Sequence, residues 1–329
     1  MSALATGDAP AEQERADAAV RPGRRRLRVI FNPTAGSRGL PTPSPTAADI
    51  DAVLAHVGIE ADIVDCGSED VARAAAGEAV RARDEVIVAA GGDGTIGLVA
   101  TELLGSQTAL GILPLGSIMN IPRSLGIPRD LAGAAAIIAT GIIVPIDVGE
   151  ARGKPFFESG SVGMNAAMFR EAERFQGGER TSLFRTLWVA FRYRPARMRI
   201  ELDDRIVRTR ALTLTVSNGP YTGAGMTVAP DARLDDGRFD IRVFERFSKW
   251  ELVRHLASIA FGRRQYVPRV STYRSRHVRI SSAHPLSARA DSRDLGTTPV
   301  EFRVRPSALR VVIPADGLPD AGAADSGRA

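Results

Sequence analysis

Cysteine is almost absent from this chain of 329 residues. Cys66 is the single one, which excludes an internal disulfide framework and suits a reducing compartment. Lysine is nearly as scarce: of 43 basic residues only Lys154 and Lys249 are lysines, and arginine supplies the others. Long apolar runs are missing too, and none approaches the roughly 20 residues that a membrane-spanning helix needs. No apolar stretch follows Arg24, Arg25 and Arg26, so the pattern of a secretory signal is not met. The expectation is a cytoplasmic protein, peripheral to any membrane it meets. Two common nucleotide fingerprints are also lacking. Nothing matches the P-loop string GxxxxGK followed by Ser or Thr, and no GxGxxG joins the first strand to its helix, which argues against a P-loop enzyme and a dehydrogenase.

What is present is the composition of an ordinary globular protein, 44% hydrophobic and 25% charged, in a chain long enough for two domains. The formal net charge of +5 favours anionic partners such as phosphates or lipid headgroups. Basic residues alternate with acidic ones nearly everywhere and no recognition motif for nucleic acid appears, so nucleic acid is not an expected partner. Residues 1–26 and 315–329 are rich in Ala, Gly, Asp, Pro and Arg and read as disordered tails.

Between the tails the pattern first alternates strand and helix. Leu27–Phe31, Glu60–Val64, Glu85–Ala90 and Ala109–Leu113 are short apolar strands, separated by helical segments at Ala47–His56, Asp70–Arg83 and Ile96–Leu104. Such units imply a parallel, helix-covered sheet of Rossmann-like type over residues 27–146. After about Val144 the texture changes. Phe156–Val162, Met198–Leu202, Ile206–Val216, Phe239–Phe244, Val278–Ser282, Val300–Val304 and Leu309–Ile313 read as strands between turn residues. They imply a C-terminal antiparallel, β-sandwich-like domain over residues 147–314, interrupted by helices at Ser182–Tyr193 and Ser248–Phe261. The cleft between the domains is the natural place for a site.

Gly91-Gly92-Asp93-Gly94-Thr95 follows a buried strand and opens a helix. In that setting glycines let the backbone approach closely, and amides at the helix N-terminus bind anionic oxygens. Asp93 offers a carboxylate for Mg²⁺ and Thr95 a hydroxyl beside phosphates. A capped turn would explain one glycine or Asp93, but not three glycines around an acid. Asn32-Pro33-Thr34-Ala35-Gly36 lies at the end of the first strand and Pro114-Leu115-Gly116-Ser117 after the fourth. Three strand-end loops therefore converge at the sheet edge where open α/β folds bind ligands.

These strings, in order, resemble successive motifs of the diacylglycerol kinase catalytic domain. The likeness continues through Arg123-Ser124-Leu125-Gly126-Ile127-Pro128, Asp147-Val148-Gly149, the run from Ser217 to Met226, Ala229–Ala232, Asp235-Asp236-Gly237 and Leu295–Pro299. It spans roughly residues 27–314, and the later motifs are those of bacterial lipid kinases. The resemblance implies ATP at Asn32, Pro33, Thr34, Ala35, Gly36, Gly92, Asp93, Gly94, Thr95, Ile96, Gly97, Leu98 and Ser117, with Mg²⁺ near Asp93. It also implies a structural cation held by the Asp236 carboxylate and the carbonyls of Arg233 and Arg238, although a hairpin turn explains Asp235-Asp236-Gly237 equally well.

Two departures stand out. Where relatives commonly carry Gly-Thr-x-Asn-Asp, this chain has Gly116-Ser117-Ile118-Met119-Asn120, so a neutral amide replaces an acid. The usual Asp-Gly-Glu before Leu-Gly-Thr-Thr-Pro is Asp291-Ser292-Arg293, so an arginine replaces the glutamate credited as proton acceptor. Arg293 cannot act as a base, because its guanidinium stays protonated. Asp291 is the expected base and Asp294 the reserve, with Asp147 as a further acid near Mg²⁺ and Arg293 as a phosphate contact.

The expected activity is transfer of the γ-phosphate of ATP to a lipid hydroxyl, diacylglycerol-like or sphingoid-like, at a membrane surface, by a monomer or a homodimer. The stripe Leu183, Phe184, Leu187, Trp188 and Phe191 with Arg185, Arg192 and Arg194 reads as core packing or as an interfacial helix. One rival is a nucleotide- or lipid-binding homologue that has lost catalysis, on the evidence of Asn120 and Arg293. The other is an NAD kinase, which shares the GGDGT string but not the runs at 218–226 and 229–237.

Overall fold

The computed structural model describes residues 25–35, 45–174, 193–223, 225–245 and 270–319. The helices expected at Ser182–Tyr193 and Ser248–Phe261, Tyr193 apart, lie outside these residues, as does most of both expected tails.

The first half alternates as its sequence pattern requires. Strands β1 (Arg25–Phe31), β2 (Ile59–Asp65), β3 (Val86–Gly91) and β4 (Ala109–Pro114) pair in parallel in the order β2-β1-β3-β4. Every residue of β3 and β4 is buried, as expected for strands covered on both faces. Helices α1 (Ala47–His56), α2 (Glu69–Ala82) and α3 (Asp93–Leu103) connect them, followed by a short α4 (Asn120–Ser124) and by α5 (Leu131–Thr140). Their starts are written in the sequence. Thr46 and Asp49 form a capping box, Ser68 accepts from the amide of Val71, and Asp130 from that of Gly133.

The second half is built from β5 (Ile142–Ala151), β6 (Lys154–Phe156), β7 (Ser159–Gly163), helix α6 (Met164–Arg174), and β8 (Ala196–Glu201), β9 (Ile206–Ala211) and β10 (Thr213–Ser217). It continues with β11 (Tyr221–Thr222), β12 (Met226–Thr227), β13 (Phe239–Phe244), β14 (Val270–Ser275), β15 (His277–Ser282), β16 (Ser287–Ala290), β17 (Arg293–Thr297) and β18 (Val300–Ile313). A six-stranded antiparallel sheet, β14-β13-β10-β7-β16-β17, faces the β18-β15-β8-β9 part of the larger sheet. Phe156, Phe239 and Phe302 fill the space between, with ring centroids 5.6 and 5.9 Å from Phe156.

The boundary between the halves differs from the linear division at residue 146. Strand β5 runs across it, and the long β18 pairs antiparallel with β5 and in parallel with β4. Leu309, Val311, Val312 and Ile313 thereby return to the core of the first domain. One continuous sheet thus ties the two cores together and fixes the loops at their junction.

Candidate active site

The phosphate loops touch through backbone. A Cβ built on Gly116 would lie 2.8 Å from the Cα of Gly92, so Gly116 must be glycine for the loops to meet, whereas a Cβ on Gly92 would sit 3.5 Å from the Gly116 Cα, an ordinary contact. Asn32 joins the first loop to the second: its Nδ2 donates to Thr95 Oγ1 at 2.9 Å, while its Oδ1 accepts from the amide and hydroxyl of Thr34. These loops line a cleft of about 440 Å³ that includes Asn32, Thr34, Ala35, Gly92, Thr95 and Leu98. The cleft is closed on another side by Cys66, Gly67 and Ser68, the loop between β2 and α2. The sequence reading missed that loop, though it ends a strand at the same sheet edge and carries a helix cap.

Other expected nucleotide residues sit elsewhere. Ile96 is fully buried, and Gly97 packs against the ring of Phe157. Pro33 lies in the turn after Asn32, and Gly36 falls outside the described residues. Ser117 is exposed, and its carbonyl accepts from Arg129 at 2.7 Å.

Asp93 connects the second loop to the third. Its Oδ2 accepts from the amide of Asn120 at 3.1 Å and its Oδ1 from that of Ile121 at 3.0 Å, at the start of α4. Met119, just before, is held in the left-handed region with φ 62°. One lone pair on each carboxylate oxygen of Asp93 remains for a cation or its water.

Asn120 reaches across the domain junction. Its Nδ2 donates to Glu158 Oε2 at 2.7 Å and to the carbonyl of Gly223 at 2.9 Å, while its Oδ1 is buried without a partner. Glu158 is the site residue that the sequence reading missed. Burial, with Asp291 and Asp93 nearby, pushes its carboxyl up to about 8.

The backbone that carries Glu158 is fixed at every polar group. The amides of Phe157, Glu158 and Ser159 donate to the Asp291 carboxylate at 2.8, 3.0 and 3.1 Å. The Ser159 carbonyl accepts from the Asp291 amide at 2.9 Å, and the Glu158 carbonyl from the amides of Asn218 and Gly219. Asn218 Nδ2 donates to the carbonyls of Phe157 and Asp147. Much of the Ser217–Met226 string therefore serves to hold this segment.

This geometry corrects four expectations. Asp291 has both oxygens occupied by amides and holds φ 46°, which makes it an anchor for Phe157–Ser159 rather than a free base. Burial raises its carboxyl to about 6 against the opposing pull of those three amides. Asp294 is exposed in the β16–β17 hairpin, where its carboxylate accepts from the amide of Gly296. Asp147 is buried and accepts from the amides of Gly237 and Ser307, so it clamps strand connections instead of approaching the phosphate loops. Arg293, expected at a phosphate, donates to the carbonyl of Pro155 at 3.2 Å.

The cation implied at Arg233, Asp236 and Arg238 fits less well. Asp236 Oδ1 accepts from the amide of Arg238 at 3.0 Å, and the Arg274 guanidinium lies 3.8 Å from its Oδ2. Arg233 turns its guanidinium to Asp235. A bound cation would share the Asp236 carboxylate with Arg274.

Comparison with known proteins identifies both halves of the chain. Residues 26–151 match the diacylglycerol kinase catalytic domain, and residues 159–313 the YegS C-terminal NAD kinase beta sandwich-like domain. A YegS-like lipid kinase from Klebsiella pneumoniae (strain 342) is 31% identical over 73% of this chain and 81% of its own length. Diacylglycerol kinase from Bacillus subtilis (strain 168) is 26% identical over 88% of this chain and 97% of its own. A Bacillus anthracis diacylglycerol kinase structure shares the fold at a TM-score of 0.65 and 19% identity, covering 90% of this chain and 98% of that one. The chain belongs to the diacylglycerol kinase-like family of lipid kinases, phosphotransferases whose acceptor group is an alcohol.

Proposed function

We propose that this protein transfers the γ-phosphate of ATP to the hydroxyl of a membrane lipid. The observation that carries the reading is the meeting of two glycine loops with the Glu158 segment of the β domain, through Asp93, Asn120 and Glu158. Phosphoryl transfer asks the protein mainly to position its reactants and to neutralise charge. The cleft beside Asn32, Gly92 and Thr95 offers amides and a helix N-terminus to the phosphates. The free lone pairs of Asp93 suit Mg²⁺, which binds through one or two carboxylates plus substrate phosphates and would neutralise charge on them. Held by α4, Asp93 keeps its place before any ligand arrives.

The lipid side of the reading rests on a basic face. In β8 and β9 the alternation sends Met198 and Ile200 into the core and Arg197, Arg199, Arg208 and Arg210 outward. Arg197 lies directly opposite Arg210, and Arg199 opposite Arg208. Like charges so placed repel, and Arg199 is balanced by Glu201 at 2.6 Å. Together with Ser281 and Ser282 the four arginines line a groove of about 570 Å³. Anionic lipid headgroups match its charge and donors.

An NAD kinase reading shares the GGDGT loop. Phosphate transfer from ATP measured side by side with NAD and with diacylglycerol as acceptor separates the two: transfer to NAD alone contradicts the lipid kinase reading.

A further inference from the structure

Resting on the lipid kinase reading, we propose that Glu158 is the group that takes the proton from the acceptor hydroxyl. In the reaction the lipid oxygen bonds to the γ-phosphorus, the bond from that phosphorus to the β,γ-bridging oxygen breaks, and ADP leaves with its electrons. The hydroxyl proton must go to a nearby acceptor.

The residues expected in that role are each otherwise engaged. Arg293 is a cation bonded to a carbonyl. Asp291 spends both oxygens on three amides, and Asp294 sits in an exposed hairpin. Asp93 lies at the phosphate loop with both oxygens on α4. Glu158 differs. Its carboxylate receives Nδ2 of Asn120 and the amide of Gly223, and its own backbone is immobilised on both sides.

The pair with Asn120 explains the first departure. Position 120, where relatives commonly carry an acid, holds an amide here, and the hydrogen-bond partner of that amide is a carboxylate. Asn120 Oδ1 adds an independent sign of a ligand. It is buried with no partner, beside the Glu158 carboxylate that its own amide holds, and a bound donor other than the reacting hydroxyl, whose single proton goes to Glu158, would satisfy it.

The electrostatics suit the task. Burial, with the charges of Asp291 and Asp93, raises the Glu158 carboxyl to about 8, while Arg293 pulls Asp291 the other way. A base works best with its pKa near the operating pH.

The test compares wild type, Glu158→Gln and Glu158→Asp with ATP and a short-chain diacylglycerol in mixed micelles. We expect Glu158→Gln to lower kcat by about 10²–10⁴-fold, the usual contribution of a positioned base, with KM for ATP changed by no more than about two-fold. We expect the kcat/KM of wild type to rise with pH through a limb above the ordinary carboxylate range, because burial and Asp291 raise the Glu158 carboxyl. That limb disappears in Glu158→Gln and persists, at a reduced rate, in Glu158→Asp. A Gln variant that keeps the limb, or keeps kcat within about three-fold of wild type, overturns the assignment and leaves the kinase reading standing. A Gln variant that melts lower and loses rate while keeping the limb marks a structural role only. Absence of transfer by wild type overturns the kinase reading itself, and the role of Glu158 with it.

Discussion

Gly92 and Gly116 meet backbone to backbone, so that a methyl on Gly116 would press within 2.8 Å of the Gly92 Cα and 2.7 Å of the Met119 sulfur. Gly116→Ala must therefore part the two phosphate loops. We expect a cost of about 1–3 kcal/mol, the usual range for overpacking, and a KM for ATP raised by about ten-fold or more. Gly94→Ala is the control for stability. Its added methyl meets nothing within 4 Å, so its melting temperature should stay level or rise. Differential scanning fluorimetry of both variants, with ATP titrations of Gly116→Ala, checks this.

Asp93→Asn removes a charge from the phosphate loop and one of two acceptors from the start of α4. Mg²⁺-dependent turnover should vanish. Stability should also fall by about 0.5–2 kcal/mol, as for the loss of a helix cap. Unchanged turnover with intact folding would take Asp93 out of the chemistry.

Asp291→Asn should act through the fold. The amide cannot accept on both sides, so at least one of the three amides at Phe157, Glu158 and Ser159 loses its partner. The expected cost is about 1–3 kcal/mol, with activity falling because Glu158 moves. Hydrogen exchange at residues 157–159 should speed up in this variant and stay slow in Glu158→Gln.

The same carboxyls set a pH dependence of stability. Glu158 and Asp291 both have their pKa raised by folding, to about 8 and about 6. The folded state binds these protons more tightly than the unfolded chain does. Their contribution is therefore complete below the ordinary carboxylate range and is lost as pH rises through 6 and then 8. The melting temperature of wild type should decline between about pH 4 and about pH 8, and the part of that decline above about pH 6 should be missing from Glu158→Gln. Equal slopes in the two proteins would contradict the raised pKa of Glu158.

The sequence made the scaffold legible where signals are local. Strand-end glycines and the apolar runs of β3 and β4 each act within a few residues, and each appears in the fold as expected. What stayed hidden depends on distant pairing. Glu158 lies in a run read simply as strand, and its partner Asn120 is 38 residues away. Asp147 and Asp291 were recognisable as acids in motifs, but nothing local says that backbone amides occupy their oxygens. The return of β18 to the first sheet is hidden for the same reason, since Arg310 pairs with Ala109 across most of the chain.

The basic groove gives a membrane prediction. Replacing Arg197, Arg208 and Arg210 by Gln should weaken binding to vesicles containing phosphatidylglycerol by about five-fold per residue, following about 1 kcal/mol for each arginine at an anionic surface. Binding to pure phosphatidylcholine vesicles should be weak for both proteins, and turnover on a water-soluble diacylglycerol should be unaffected. Equal vesicle binding by wild type and the triple variant would mean that the membrane is met elsewhere.

The central claim is phosphate transfer from ATP to a lipid alcohol, and γ-labelled ATP tests it most directly. Wild-type protein with Mg²⁺ is offered diacylglycerol, a sphingoid base, phosphatidylglycerol and a polyprenol, and the organic phase is assayed for label. We expect label in at least one lipid, dependent on Mg²⁺ and abolished in Asp93→Asn. ATP bound but no label in any lipid, with activity appearing only when Asn120→Asp and Arg293→Glu are combined, would contradict the claim and leave a binding protein in its place.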